Sequence, residues 1–96
     1  MAGPSRLVTQ GRRRSSLEIV RDILVQAMNG TTKTGIVYGA NINFNVLGRY
    51  WRSLLEGGLV EELELDGRKI YRTTQRGREF LESFRSLAQL VSAVSA

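Results

Sequence analysis

A mainly helical α+β fold is predicted by three observations. A capped helix with an arginine-bearing outer face runs from Asn43 to Glu56, a β-hairpin turning at Asp66-Gly67 follows it, and a long helix with an apolar seam starts at Gln75. Two shorter helices precede this group. Helix, hairpin and helix in that order, behind two short helices, is the layout of a winged helix-turn-helix, and the seam suits its last helix to a coiled-coil dimer. The chain accordingly divides into a basic arm over residues 1–14, a winged-helix DNA-binding body over 15–74 and a dimerisation helix over 75–96.

The arm carries Gly3, Pro4 and Gly11 beside Arg12, Arg13 and Arg14, with little periodicity, and is expected to be flexible. The first helix opens at Ser15, which stands three residues before Glu18 in the spacing of a capping box. Val20, Ile23, Leu24, Ala27 and Met28 form its apolar stripe, and Gly30 closes it. Thr32 can cap a short second helix from Lys33 to about Tyr38, with Ile36 and Val37 inward and Gly39 at its end. The hydroxyls, ammonium and free amides of Thr32, Lys33 and Thr34 can hold a phosphate; plain capping is the alternative.

The third helix is the candidate reading head. Asn43 caps it, Leu47, Trp51, Leu54 and Leu55 recur at helical spacing, and Asn45, Arg49 and Arg52 fall on the opposite stripe. Asparagine and arginine can each bond bidentately to base edges, and arginine also grips phosphate. Gly48 beside that stripe costs the helix about 1 kcal/mol relative to alanine. A close backbone approach explains such a residue, made either by DNA or by the second helix crossing there.

Gly57 and Gly58 stop this helix, Leu59 to Leu65 reads as a strand, and Ile70 to Thr73 as its return. With a two-residue loop, Glu64 faces Lys69 and Glu61 faces Arg72, so much of the basic charge is paired and Arg68 near the tip is left for a phosphate. Leu63, Leu65 and Ile70 fall on one face of the hairpin, and Val60, Tyr71 and Thr73 on the other. Thr74 caps the last helix. There Phe80, Phe84, Leu87, Val91 and Val94 alternate spacings of four and three, a coiled-coil seam that Gly77 continues backwards and that Leu81 and Ala88 widen.

A chain of 96 residues has room for one domain with a marginal core, which favours further burial against a second copy. Lysine and arginine total 14 against 9 acidic residues, a net charge of +5. Arg6, Arg12, Arg13 and Arg14 account for most of that excess, so the body is nearly neutral and the arm is the basic part, suited to a polyanion such as nucleic acid. No apolar stretch reaches the roughly 18 residues that span a bilayer, and the N-terminus lacks a secretory apolar run, so no membrane partner and a cytoplasmic, nucleoid-associated location are expected. Cysteine and histidine are absent, which removes the usual actors of metal-assisted and triad chemistry. The protein is not expected to be an enzyme or to carry a cofactor.

The runs Tyr38-Gly39-Ala40-Asn41 and Gly48-Arg49-Tyr50, the Ser16-to-Ile19 opening and the Lys33-Thr34 pair resemble the crenarchaeal ten-a family of small winged-helix DNA-binding chromatin proteins. The likeness spans about Arg14 to Leu90. It implies a long C-terminal helix paired antiparallel with its twin, and DNA contacts from Arg49, Arg52 and their neighbours together with the hairpin tip. This chain departs from the family in the shorter end Ser92-Ala93-Val94-Ser95-Ala96, the arginine arm and the acidic first wing strand. The candidate DNA-facing residues are thus Arg12, Arg13, Arg14, Thr32, Lys33, Thr34, Asn43, Asn45, Gly48, Arg49, Arg52, Arg68 and Lys69. The reading is a homodimer that binds double-stranded DNA with weak sequence preference, in chromosome organisation or transcriptional control. A sequence-specific transcriptional repressor and a winged-helix protein-interaction module are the alternatives.

Overall fold

Each of the first three helices starts where a side chain takes up an amide that the helix itself leaves unpaired. The computed structural model describes residues 14–95. Helix α1 spans Ser16–Gln26; Ser15 Oγ accepts from the Glu18 amide at 3.2 Å, and the Ser15 amide donates to Glu18 Oε1 at 2.9 Å, completing the capping box. In α2, Lys33–Ala40, Thr32 Oγ1 accepts from the Gly35 amide, and in α3, Phe44–Glu56, Asn43 Oδ1 accepts from the Val46 amide. Strands β1, Val60–Leu65, and β2, Arg68–Thr73, form the antiparallel hairpin, and α4 covers Gln75–Ser95. The order is that of a winged helix-turn-helix.

Two helix ends differ from the sequence expectation. The first helix proper stops at Gln26, after which Met28 and Gly30 donate back three residues, to Val25 and Ala27, and Gly30 takes a φ of 90°. The second helix runs through Gly39 to Ala40 and ends at Asn41, which adopts φ 58° as the left-handed cap. Gly39 is therefore not a terminator. It lies against the Gln26 side chain, and a Cβ there would collide with it, so the glycine is the place where α1 and α2 pass closely.

The core gathers one face from every element. Ile23, Leu24 and Ala27 of the first helical segment, Ile36 and Val37 of α2, Leu47 and Leu54 of α3, and Val60 and Tyr71 of the hairpin are all buried together. Thr73 is the buried polar residue among those described, and its hydroxyl donates to the Leu24 carbonyl at 2.7 Å. That bond satisfies a group whose burial would otherwise cost stability.

The hairpin has the expected register, with Glu61 opposite Arg72 and Glu64 opposite Lys69. Asp66 at φ 52° and Gly67 at φ 77° give the two successive positive angles of a type I′ turn. Arg72 pairs with Glu61 at 2.8 Å, but Lys69 Nζ lies 3.8 Å from Glu62, so its ion-pair partner is the diagonal carboxylate and not Glu64. Val60, Tyr71 and Thr73 face the core, while Leu65 on the other face is exposed. A short third rung, which no strand pattern announces, is added by Thr31, whose amide and carbonyl exchange hydrogen bonds with Tyr71 at 3.0 and 2.7 Å.

Helix α4 begins inside the body and leaves it. Gly77 is buried against the Leu59 carbonyl and Thr73 so closely that a Cβ has no room. Phe80 and Leu81 pack on the core. Beyond them Leu87, Leu90, Val91 and Val94 are each at least 61% exposed. No helix of the described residues is long and apolar enough to cross a membrane.

Candidate nucleic-acid interface

The outer face of α3 is set by what its inner face must bury. Leu47 and Leu54 go into the core and Trp51 is half-buried, so Asn45, Gly48, Arg49 and Arg52 stand in solvent. Arg49 and Asn45 have no side-chain hydrogen bond or ion pair with any described residue, leaving their full donor and acceptor sets for another molecule. Arg52 is held at its base, with Nε 2.9 Å from Glu56 Oε2, one turn on. Both groups are exposed, so the pair is worth little and yields readily to a stronger anion.

Gly48 is not a place where the second helix crosses. Nothing lies within 4 Å of the position a Cβ would take, so α2 does not cross there and the glycine has no packing role inside the body. Its position on the helix is outward and unobstructed.

The opening of α2 is joined to α3 through an aromatic contact. Lys33 Nζ lies 5.0 Å from the Trp51 ring centroid and 5.8 Å from that of Tyr71, and the two rings meet edge to face at 4.8 Å. Cation–π attraction holds the ammonium there against the unfavourable helix N-terminus and keeps it at the surface. Thr32 is engaged as the cap, while Thr34 is exposed beside it. Burial, followed by the negative charge of Glu62, raises the Tyr71 hydroxyl above its ordinary value, and Lys69 works in the opposite direction.

Two candidate residues are committed to the fold. Asn43 Oδ1 serves as the α3 cap. Arg14 belongs to the body: its Nη1 meets Asp22 Oδ2 at 2.6 Å and the Ala40 carbonyl at 2.9 Å, and its Nη2 donates to the Asn41 carbonyl at 2.9 Å. These bonds satisfy carbonyls left open at the end of α2 and fix the turn into α3. Arg12 and Arg13 lie outside the described residues. At the hairpin turn Arg68 is exposed and has no ion pair with a described residue, whereas Lys69 is shared with Glu62.

Sequence pattern alone does not single out Phe44 and Tyr38, which are 53% and 77% exposed at the start of α3 and late in α2. What marks Phe44 is its exposure at the first position of α3, one turn before Gly48 on the same ridge.

A three-helix body with a two-stranded hairpin and a free, arginine-bearing third helix defines the winged helix-turn-helix class. The family model described as winged helix-turn-helix matches residues 13–92, and the chain belongs to that family. Among solved structures it is similar to Sso10a-2, a DNA-binding protein from Sulfolobus solfataricus, with a TM-score of 0.75 and 27% identity over 85% of this chain and 86% of that one. That match supports the resemblance to the crenarchaeal ten-a family. No curated protein matches the chain.

Proposed function

We propose that this is a non-enzymatic, double-stranded DNA-binding protein with weak sequence preference, acting as a homodimer on the nucleoid in chromosome organisation or transcriptional control. The observation that carries the reading is the outward stripe Asn45, Gly48, Arg49 and Arg52 on the third helix of a winged helix-turn-helix, with Arg49 unpaired among the described residues and Gly48 clear of the body. The similar Sulfolobus structure, itself a DNA-binding protein, supports it. A weak preference follows from the small number of base-reading groups on that stripe beside several groups suited to phosphate. Lys33, Thr34 and Arg68 are exposed, and the sequence adds Arg12 and Arg13 before the described residues, so groups suited to phosphate accompany the third helix.

Titration with unrelated duplexes at several salt concentrations tests this reading. Tight binding that falls steeply with salt is expected. Changing Arg49 and Arg52 together to alanine should cost roughly 1–3 kcal/mol for each bidentate or charge-assisted bond to DNA that is removed, while leaving the domain folded. Deleting residues 1–13, with Arg6, Arg12 and Arg13, should lower the magnitude of the salt slope by up to about 2.7. Absence of binding at low salt rejects the reading and favours a protein-interaction module, the role to which the acidic strand residues Glu61, Glu62 and Glu64 are suited. A selected duplex bound far more tightly than random ones would instead indicate a sequence-specific repressor.

A further inference from the structure

The first residue of α3 is an aromatic with no place in the core. Phe44 is 53% exposed, while its neighbours Ile42 and Leu47 are packed in the core or against it. Phe44, Gly48 and Arg52 succeed one another at intervals of four, so they form one ridge along the helix. Gly48 is a gap in that ridge, because nothing lies within 4 Å of where its Cβ would stand. The gap makes a notch one residue wide. One turn before it on the helix stands Phe44, and one turn after it Arg52, 87% exposed and bonded through Nε to Glu56.

We propose that this notch is a base-reading subsite for the C5-methyl group of a thymine in the major groove, with Phe44 as its apolar wall and the Gly48 backbone as its floor. The proposal rests on α3 being the helix that enters the groove. In that position its N-terminal residues are the ones that reach base edges. The thymine methyl is the apolar feature that the major groove presents, and phenylalanine is among the side chains that contact it. A side chain at position 48 would stand where the base edge has to come. Arg52, one turn after the notch, is placed for a neighbouring guanine or a phosphate, which orients the helix over the methyl. The site therefore adds a preference for thymine-containing steps to an otherwise phosphate-dominated interface.

The test compares a thymine-containing duplex with the same duplex carrying uracil at every thymine, which keeps the pairing and removes only the methyl groups. Wild-type protein should bind the uracil duplex about fourfold more weakly for each methyl removed from a notch, equivalent to ~0.8 kcal/mol. Phe44→Ala should bind both duplexes equally, with its folding checked by thermal unfolding. Phe44→Leu keeps an apolar wall and should retain part of the difference. Arg49→Ala should weaken both complexes and preserve their ratio. Equal wild-type affinity for the two duplexes overturns the notch but leaves the DNA reading intact. A ratio that persists in Phe44→Ala also overturns it, assigning the effect to duplex shape. Equal affinities together with a changed oligomeric state in Phe44→Ala would make Phe44 a protein contact, and failure to bind either duplex rejects the DNA reading as well.

Discussion

Arg14 and Asp22 are joined at 2.6 Å, and the same guanidinium reaches across to the carbonyls of Ala40 and Asn41. Asp22 also meets Arg21 at 2.6 Å, so one carboxylate on α1 organises two arginines. The arrangement ties the N-terminal end of the body to the turn that launches α3. Arg14→Ala should therefore lower stability by about 1–3 kcal/mol, since it removes charge-assisted bonds to partly buried acceptors. Urea unfolding checks this: a change below about 0.5 kcal/mol, the range of ordinary surface substitutions, would return Arg14 to the arm.

The place of Arg14 marks a limit of what sequence can carry. Caps and turns are legible because they are local: Ser15, Thr32 and Asn43 each bond an amide three residues on, and Asp66-Gly67 alone sets the whole hairpin register. The stripes of α1 and α3 are legible because burial follows helical period. What escapes is non-local. Arg14 binds residues 26 and 27 positions away, Thr31 pairs with Tyr71 as a single rung without strand periodicity, and Gly39 lies against the Gln26 side chain of another helix. Likewise the outward stripe of α3 follows from period alone, whereas the placing of Lys33 over Trp51 depends on how α2 and α3 pack.

Gly48 gives a prediction with two opposite signs. An added Cβ meets nothing in the body, so Gly48→Ala should stabilise the free protein by up to about 1 kcal/mol through helix propensity. The same methyl stands on the outward ridge of α3 and should weaken DNA binding. Thermal unfolding and a duplex titration on the same sample read the two effects. Stabilisation with unchanged affinity would remove Gly48 from the interface.

Tyr71 makes stability fall at alkaline pH. Its hydroxyl is raised from 10.0 in the folded protein, chiefly by burial and then by Glu62, so the unfolded chain ionises first. The contribution is fully present below about pH 10 and is lost as pH rises from there through the higher folded value. Urea midpoints measured for wild type and Tyr71→Phe at about pH 9 and about pH 11, on either side of the ordinary phenol value, test it. The wild type should lose more stability over that interval than the variant, and identical losses would show that Tyr71 does not ionise with unfolding.

The last prediction is the dimer. Helix α4 has 21 residues, a length of about 31 Å, and only its first turns are covered by the body. Phe80 and Phe84 stack with ring centroids 6.5 Å apart, and Arg21 lies 4.9 Å from the Phe84 ring, so the near end of the seam is used within the chain. The far end is not: Leu87 is 61%, Val91 62% and Val94 80% exposed. A row of that kind, repeating every three or four residues on one helix, exposes apolar surface that a second copy of the helix covers well, and each side chain fully buried contributes about 1.5–3 kcal/mol. Leu87 opens this exposed stretch, so in an antiparallel pair it should lie against the partner's seam. Leu87→Glu would then place a carboxylate of each copy in an apolar contact. Dissociation is expected, without loss of the body's fold, because Leu87 makes no part of the core. Sedimentation at micromolar protein gives the answer: a wild-type chain that runs as a folded monomer, or a Leu87→Glu variant that still runs as a dimer, would remove this seam from any interface.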